Sequence, residues 1–178
     1  MIAVDTNVLV YADRAELPLH RPALNALRRL AEGDEAWALP IFCAGEFIRV
    51  VSHPRLFDPP TPAVEAIAAL DALFESRSLR VLYPGERYWR LLSRLIAAGA
   101  AQGNLVFDAQ IAALCLEHGA GTLLSEDRDF SRFPGLALRT LGEFQAMTQA
   151  SRSYTSARGT PRARRGRGRP RRALTPGA

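Results

Sequence analysis

From Met1 to about Thr140 the chain alternates short apolar runs with longer stretches of helical periodicity, and this alternation sets which folds are open to it. The runs are residues 2–5, 37–39, 80–83 and 122–124, with a weaker one over 136–140, and each reads as a buried strand. Between them, helical patterns cover residues 20–31, 41–51, 86–98 and 104–118, with a further helix starting over 7–12 and another running from Val64 to near Arg77. In residues 20–31 the apolar face is Ala23, Leu24, Leu27, Leu30 and Ala31, at intervals of three and four. Asn104 is placed to cap the 104–118 helix. Strands separated by helices pair in parallel, with helices covering both sheet faces. The expected architecture is α/β, a three-layer α/β/α sandwich with a mainly parallel central sheet.

Acidic residues stand where such a sheet would present them together. Asp5 ends the first apolar run and opens Asp5-Thr6-Asn7, while Asp127 and Asp129 follow the run Thr122-Leu123-Leu124. Open α/β sheets bind ligands at the carboxyl ends of their strands. Glu46 lies in the apolar helix Ile41–Val51, and Asp108 opens an alanine-rich one. Carboxylates crowded at one edge repel one another, and a hard divalent cation with oxygen ligands removes that repulsion. Each acid also has a plain structural reading. Asp5 can cap a helix, Glu46 can pair with Arg49, Asp108 can stabilise a first turn, and the 125–130 segment can be a solvated turn. All of them together, each with apolar neighbours, favour a metal pocket.

Charge divides the chain. Residues 1–150 hold 14 of the 23 arginines and all 18 acids, whereas residues 151–178 hold nine arginines and no acid. There is no lysine, which excludes a Gly-Lys-Ser/Thr phosphate loop and Schiff-base chemistry. Cys43 and Cys115 form no Cys-x-x-Cys pair, and His20, His53 and His118 fall at no metal-ligand spacing. No apolar stretch approaches the roughly 20 residues of a membrane span, so a soluble, cytoplasmic protein is expected. The Arg, Gly, Pro, Ser and Thr composition after about Gln149 predicts a disordered basic extension, with the domain over 1–145 and the tail over 146–178.

The ordered set Val4-Asp5-Thr6-Asn7-Val8-Leu9, Glu46, Asp108-Ala109 and Leu124-Ser125-Glu126-Asp127-Arg128-Asp129-Phe130 resembles the PIN-domain ribonucleases, and among them the VapC-type toxins of bacterial toxin-antitoxin pairs. His53-Pro54-Arg55-Leu56-Phe57 is similar to a connection many of these toxins carry. The resemblance covers residues 1 to about 145. It implies an acidic pocket that binds Mg2+ or Mn2+ and cleaves RNA, with Asp5, Glu46, Asp108 and Asp127 as the catalytic acids. Of these, Asp5, Asp108 and Asp127 would contact the metal. Asn7, Ser125 and Asp129 would be auxiliary. It further implies a homodimer silenced by a small antitoxin protein. Phe107 and Ser125 depart from the His and Thr that many relatives carry, and the basic extension lies outside the family's core.

The expected reaction is RNA phosphodiester hydrolysis by a metal-activated water. Two other readings stay open: a carboxylate-metal phosphatase acting on small phosphoesters, and a non-catalytic nucleic-acid-binding protein. The first lacks the usual Asp-x-Asp, since Asn7 occupies the third position. The tail arginines Arg162, Arg164, Arg165, Arg167, Arg169, Arg171 and Arg172 are candidate RNA contacts. Arg49, Arg87, Arg90, Arg94 and Arg128 are candidates for flanking phosphates.

Overall fold

The computed structural model describes residues 1–158, with side chains over residues 1–150. Five strands, β1 (Ile2–Val4), β2 (Trp37–Pro40), β3 (Leu79–Leu82), β4 (Thr122–Leu124) and β5 (Ala137–Arg139), form one sheet in the order β3-β2-β1-β4-β5. Every pairing is parallel. The strands are short but almost wholly apolar, as a sheet covered on both faces requires. Val4, Trp37, Leu39, Leu123 and Leu124 are fully buried.

The helices are α1 (Thr6–Asp13), α2 (His20–Glu32), α3 (Ile41–Val51), α4 (Ala63–Phe74), α5 (Tyr88–Gly99), α6 (Leu105–Glu117) and α7 (Leu141–Arg158), with a 3-10 turn over Arg128–Arg132. From β1 the chain adds β2 and β3 on one side, then crosses to add β4 and β5 on the other. The strand order therefore reverses between β1 and β4, and the crevice outside their carboxyl ends is where such a sheet binds ligands. Among the described residues no helix is long and apolar enough to cross a membrane.

Two expectations need correction. Asn104 does not cap α6 with its side chain; it sits in the right-handed helical region and makes no capping bond. The chain is also helical well past residue 145, because α7 runs through Arg158 across the boundary expected for a disordered tail. The reason lies at the helix's start. The Thr140 amide donates to Glu143 Oε2 at 2.8 Å and the Glu143 amide to Thr140 Oγ1 at 3.3 Å, a reciprocal cap. Leu141 and Phe144 then bury their side chains in the core, anchoring a helix that continues into the polar sequence beyond. Residues 159–178, and with them the seven candidate RNA-binding arginines, lie outside the described residues.

Candidate active site

The register of β1 against β4 builds the centre of the site. Val4 pairs with Leu124, so Asp5 and Ser125 leave the sheet side by side, and the Asp5 amide donates to the Leu124 carbonyl at 3.1 Å. The Asp5 carboxylate is buried and accepts three short hydrogen bonds, from the Thr6 amide, Asn7 Nδ2 and Ser125 Oγ, each at 2.7 Å. Asn7 Nδ2 also lies 2.8 Å from Ser125 Oγ, and Asn7 Oδ1 accepts from the Glu126 amide at 3.3 Å. Ser125 Oγ in turn accepts from the Asp127 amide at 3.0 Å. Asn7 and Ser125 thus lace the start of α1 to the loop after β4 and hold Asp5 in one orientation.

Burial pushes the Asp5 carboxyl up to about 6; the Ser125 and Thr6 hydrogen bonds pull it down, while the Glu46 and Asp127 charges push it further up. Asp108, in the first turn of α6, is raised to about 7, mainly by burial and then by the charges of Asp127, Asp5, Asp129 and Glu46. Asp127 caps the 3-10 turn, its Oδ1 accepting from the Asp129 amide at 2.9 Å. Glu46 accepts from Thr6 Oγ1 at 2.9 Å through one oxygen and from Arg49 at 3.1 Å through the other. Asp129 pairs with Arg132 at 3.3 Å. The fold thus brings the other four acids picked out from the sequence into electrostatic range of Asp108.

Among the described residues, no three acids, histidines or cysteines converge as a preformed metal cage. Mg2+ needs none, since it takes one or two carboxylates directly and keeps several waters. The donor set fits such an ion. Its oxygens are hard, and two of its carboxyls titrate high because like charges and burial are uncompensated.

Several features of the site escape a reading of the sequence. Thr6 belongs to the first motif, but nothing in the sequence shows that its hydroxyl reaches a helix 40 residues away. Cys43 is fully buried with its Sγ 4.0 Å from Asp5 Oδ1, and burial holds its thiol well above the usual range. Phe107, next to Asp108 in the first turn of α6, is 60% exposed. Beginning one turn along α1 from Asp5, a cavity of about 330 Å3 opens between α1, α2, α3 and α4. Leu9, Leu24, Leu27, Phe47, Leu70 and Leu73 line it, with Asp13, Arg28 and Glu32 also on its walls.

Comparison with known families decides the kinship: the PIN domain profile matches residues 2–136. The chain belongs to the PIN-domain family. VapC ribonuclease Mb2897 of Mycobacterium bovis and ribonuclease VapC43 of Mycobacterium tuberculosis are each 45% identical to it over 139 residues, covering 78% of this chain and 94% of theirs. Ribonuclease VapC31 of Mycobacterium tuberculosis is 34% identical over 133 residues, 75% of this chain and 93% of its own. The resemblance to VapC-type members drawn from the sequence motifs therefore holds. Solved structures agree on the fold alone. VapC20 of Mycobacterium tuberculosis, described as a sarcin-ricin loop cleaving toxin, superposes with a TM-score of 0.55 at 20% identity, covering 76% of this chain and 98% of its own. VapBC-1 of nontypeable Haemophilus influenzae gives 0.56 at 20% identity, covering 80% and 99%. In this PIN domain the matched span ends at residue 136, so β5 and α7 lie beyond it.

Proposed function

We propose that this PIN domain is a metal-dependent endoribonuclease, acting as the toxin of a toxin-antitoxin pair. The observation that carries the reading is the convergence of Asp5, Glu46, Asp108, Asp127 and Asp129, from four separate segments, on the switch point between β1 and β4. The VapC ribonucleases at 45% identity support the choice of substrate.

Asp5 and Asp108 would hold a Mg2+ or Mn2+ ion, with Asp127 beside them and Asp129 in support. Such an ion lowers the pKa of a bound water and offsets charge on the phosphate. Ser125, Asn7 and the Thr6 amide fix the Asp5 oxygens, so the ion site is oriented before substrate arrives. Thr6 holds Glu46 toward the pocket, where its carboxylate can take a proton from the attacking water. In-line attack by that water leaves a 5′-phosphate and a 3′-hydroxyl. Phe107 offers an exposed ring on which a base next to the cleaved bond can stack.

The apolar cavity between α1, α2, α3 and α4 suits an apolar segment of a small antitoxin, which would sit within one helical turn of Asp5. A structure of similar fold, VapBC2 of Rickettsia felis, is described as bound to a DNA fragment from their promoter. A homodimer forms part of the same reading. The test is incubation of the full chain with single-stranded and hairpin RNAs in Mn2+ or Mg2+, with the new ends mapped. Cleavage that EDTA and Asp108→Asn both stop is expected. Hydrolysis of small phosphoesters alone, or RNA binding without turnover, would overturn the reading.

A further inference from the structure

The outward side of α5 differs from the rest of this acidic domain. Trp89 is 73% exposed, more than any other large hydrophobic side chain among the described residues. Arg90 and Arg94, four apart and therefore on one face, are both exposed, and α5 contains no acid. Neither guanidinium takes part in a salt bridge among the described residues. An indole left in water forgoes the free energy of burial, and two like charges one turn apart weaken a helix. A partner that is anionic and carries flat rings reverses both effects, and single-stranded nucleic acid is that partner.

The axis of α5 runs toward the segment that carries two of the acids. Glu117, at the end of α6, accepts from the Gly85 and Arg87 amides at 2.9 and 2.8 Å, so α5 starts beside the end of α6. At the other end of α5, a Cβ on Gly99 would come within 2.9 Å of the Phe133 ring and 3.6 Å of the Arg132 carbonyl. The helix therefore runs about 15 Å from Trp89 to the 3-10 turn that carries Asp129 and Arg132. Arg132, half-exposed and paired with Asp129, lies in the turn that meets the end of α5.

We propose that Trp89, Arg90 and Arg94, leading to Arg132, form the track on which single-stranded RNA lies as it enters the acidic pocket. The proposal rests on the nuclease reading and adds to it the route of the substrate. Trp89 stacks on a base, and the arginines contact successive phosphates.

The protein carries its own probe, because Trp37 is fully buried and Trp89 is not. Labelled single-stranded RNA is titrated into the full chain in EDTA, with anisotropy and tryptophan emission read together. RNA should quench the emission, and Trp89→Phe should abolish the quenching. Trp89→Ala should weaken binding by about 5- to 100-fold. Arg90→Gln with Arg94→Gln should flatten the slope of log affinity against log salt by about 1.4, while Arg21→Gln on α2 leaves affinity and slope nearly unchanged. With Mn2+, these track variants should raise KM and keep kcat. Absent quenching, or an unchanged slope in a chain that still cleaves RNA, overturns the track alone. A wild-type chain that never cleaves RNA removes the nuclease reading and the track with it. A shift from dimer to monomer in Trp89→Ala, read by sedimentation, assigns the face to a second copy and likewise overturns the track.

Discussion

Thr6 Oγ1 donates to Glu46 Oε2 at 2.9 Å, joining the first turn of α1 to the second turn of α3 across 40 residues of sequence. The other oxygen of Glu46 faces Arg49, whose side chain is 63% exposed. Exposed pairs of that kind contribute little, whereas a hydrogen bond to a charged group is worth about 1.5–3 kcal/mol. Thr6 is therefore the stronger of the two constraints on Glu46.

Removing that hydroxyl with Thr6→Val should lower kcat by roughly 10- to 100-fold, and Thr6→Ser should restore most of it. Arg49→Gln should change kcat only a few-fold, about what an exposed pair allows. Single-turnover cleavage by the three variants checks the ranking, and equal losses in Thr6→Val and Arg49→Gln would contradict it.

Asp108→Asn and Asp5→Asn should both stop cleavage but differ in stability. Asp108 is held high by burial and like charges, and its carboxylate accepts no hydrogen bond from the described residues. Its neutralisation should raise the metal-free Tm by about 2–4 °C, which corresponds to about 1 kcal/mol. Asp5 accepts three hydrogen bonds, and an amide offers one acceptor oxygen in place of two. Asp5→Asn should therefore gain nothing or lose a few degrees. Calorimetry in EDTA distinguishes the two, and normal cleavage by either variant would remove that residue from the site.

The pH dependence has a definite sign. The folded-state values of about 6 for Asp5 and about 7 for Asp108 both lie above the ordinary 3.8. The stability these groups add is complete below about pH 4 and is lost as pH rises through 6 and 7. In EDTA the Tm should therefore fall between pH 5 and pH 8, and Mn2+ should recover it at pH 8. A Tm independent of both pH and metal would show that the two carboxyls are not coupled to an ion.

Deleting residues 159–178 removes seven arginines while keeping α7 whole. If those arginines contact RNA, the salt slope should flatten by at most about 5, at about 0.7 per phosphate on single strands. The rate at saturating RNA should not change. A cut after residue 150 severs α7, and its effect on stability should be larger. Affinity and slope measured on both truncations separate the tail's charge from the helix.

The alternation of apolar runs and helical faces was enough to foresee the parallel sheet, because short buried strands and amphipathic helices leave different periods in the sequence. Asp5 and Asp108 were legible for a related reason: a carboxylate ending an apolar run or opening an apolar helix conflicts with its surroundings. α7 was obscured by the arginine-rich composition that follows it, although Thr140-Leu141-Gly142-Glu143 carries the capping pattern that starts it. The Thr6–Glu46 bond and the place of Arg132 at the end of α5 arise only from packing. No local pattern records which helix faces which.

Asp5 and Ser125, bonded at 2.7 Å, are 120 residues apart in the chain. A ribosome adding about 5–20 residues per second needs roughly 6–24 s to pass from one to the other. Through that interval the first strand waits with its carboxylate made and its neighbour unwritten. Messages broken or abandoned before residue 125 yield fragments with no pocket at all. Whatever the finished pocket does to RNA, the chain cannot do it to its own message until residue 125 has been added.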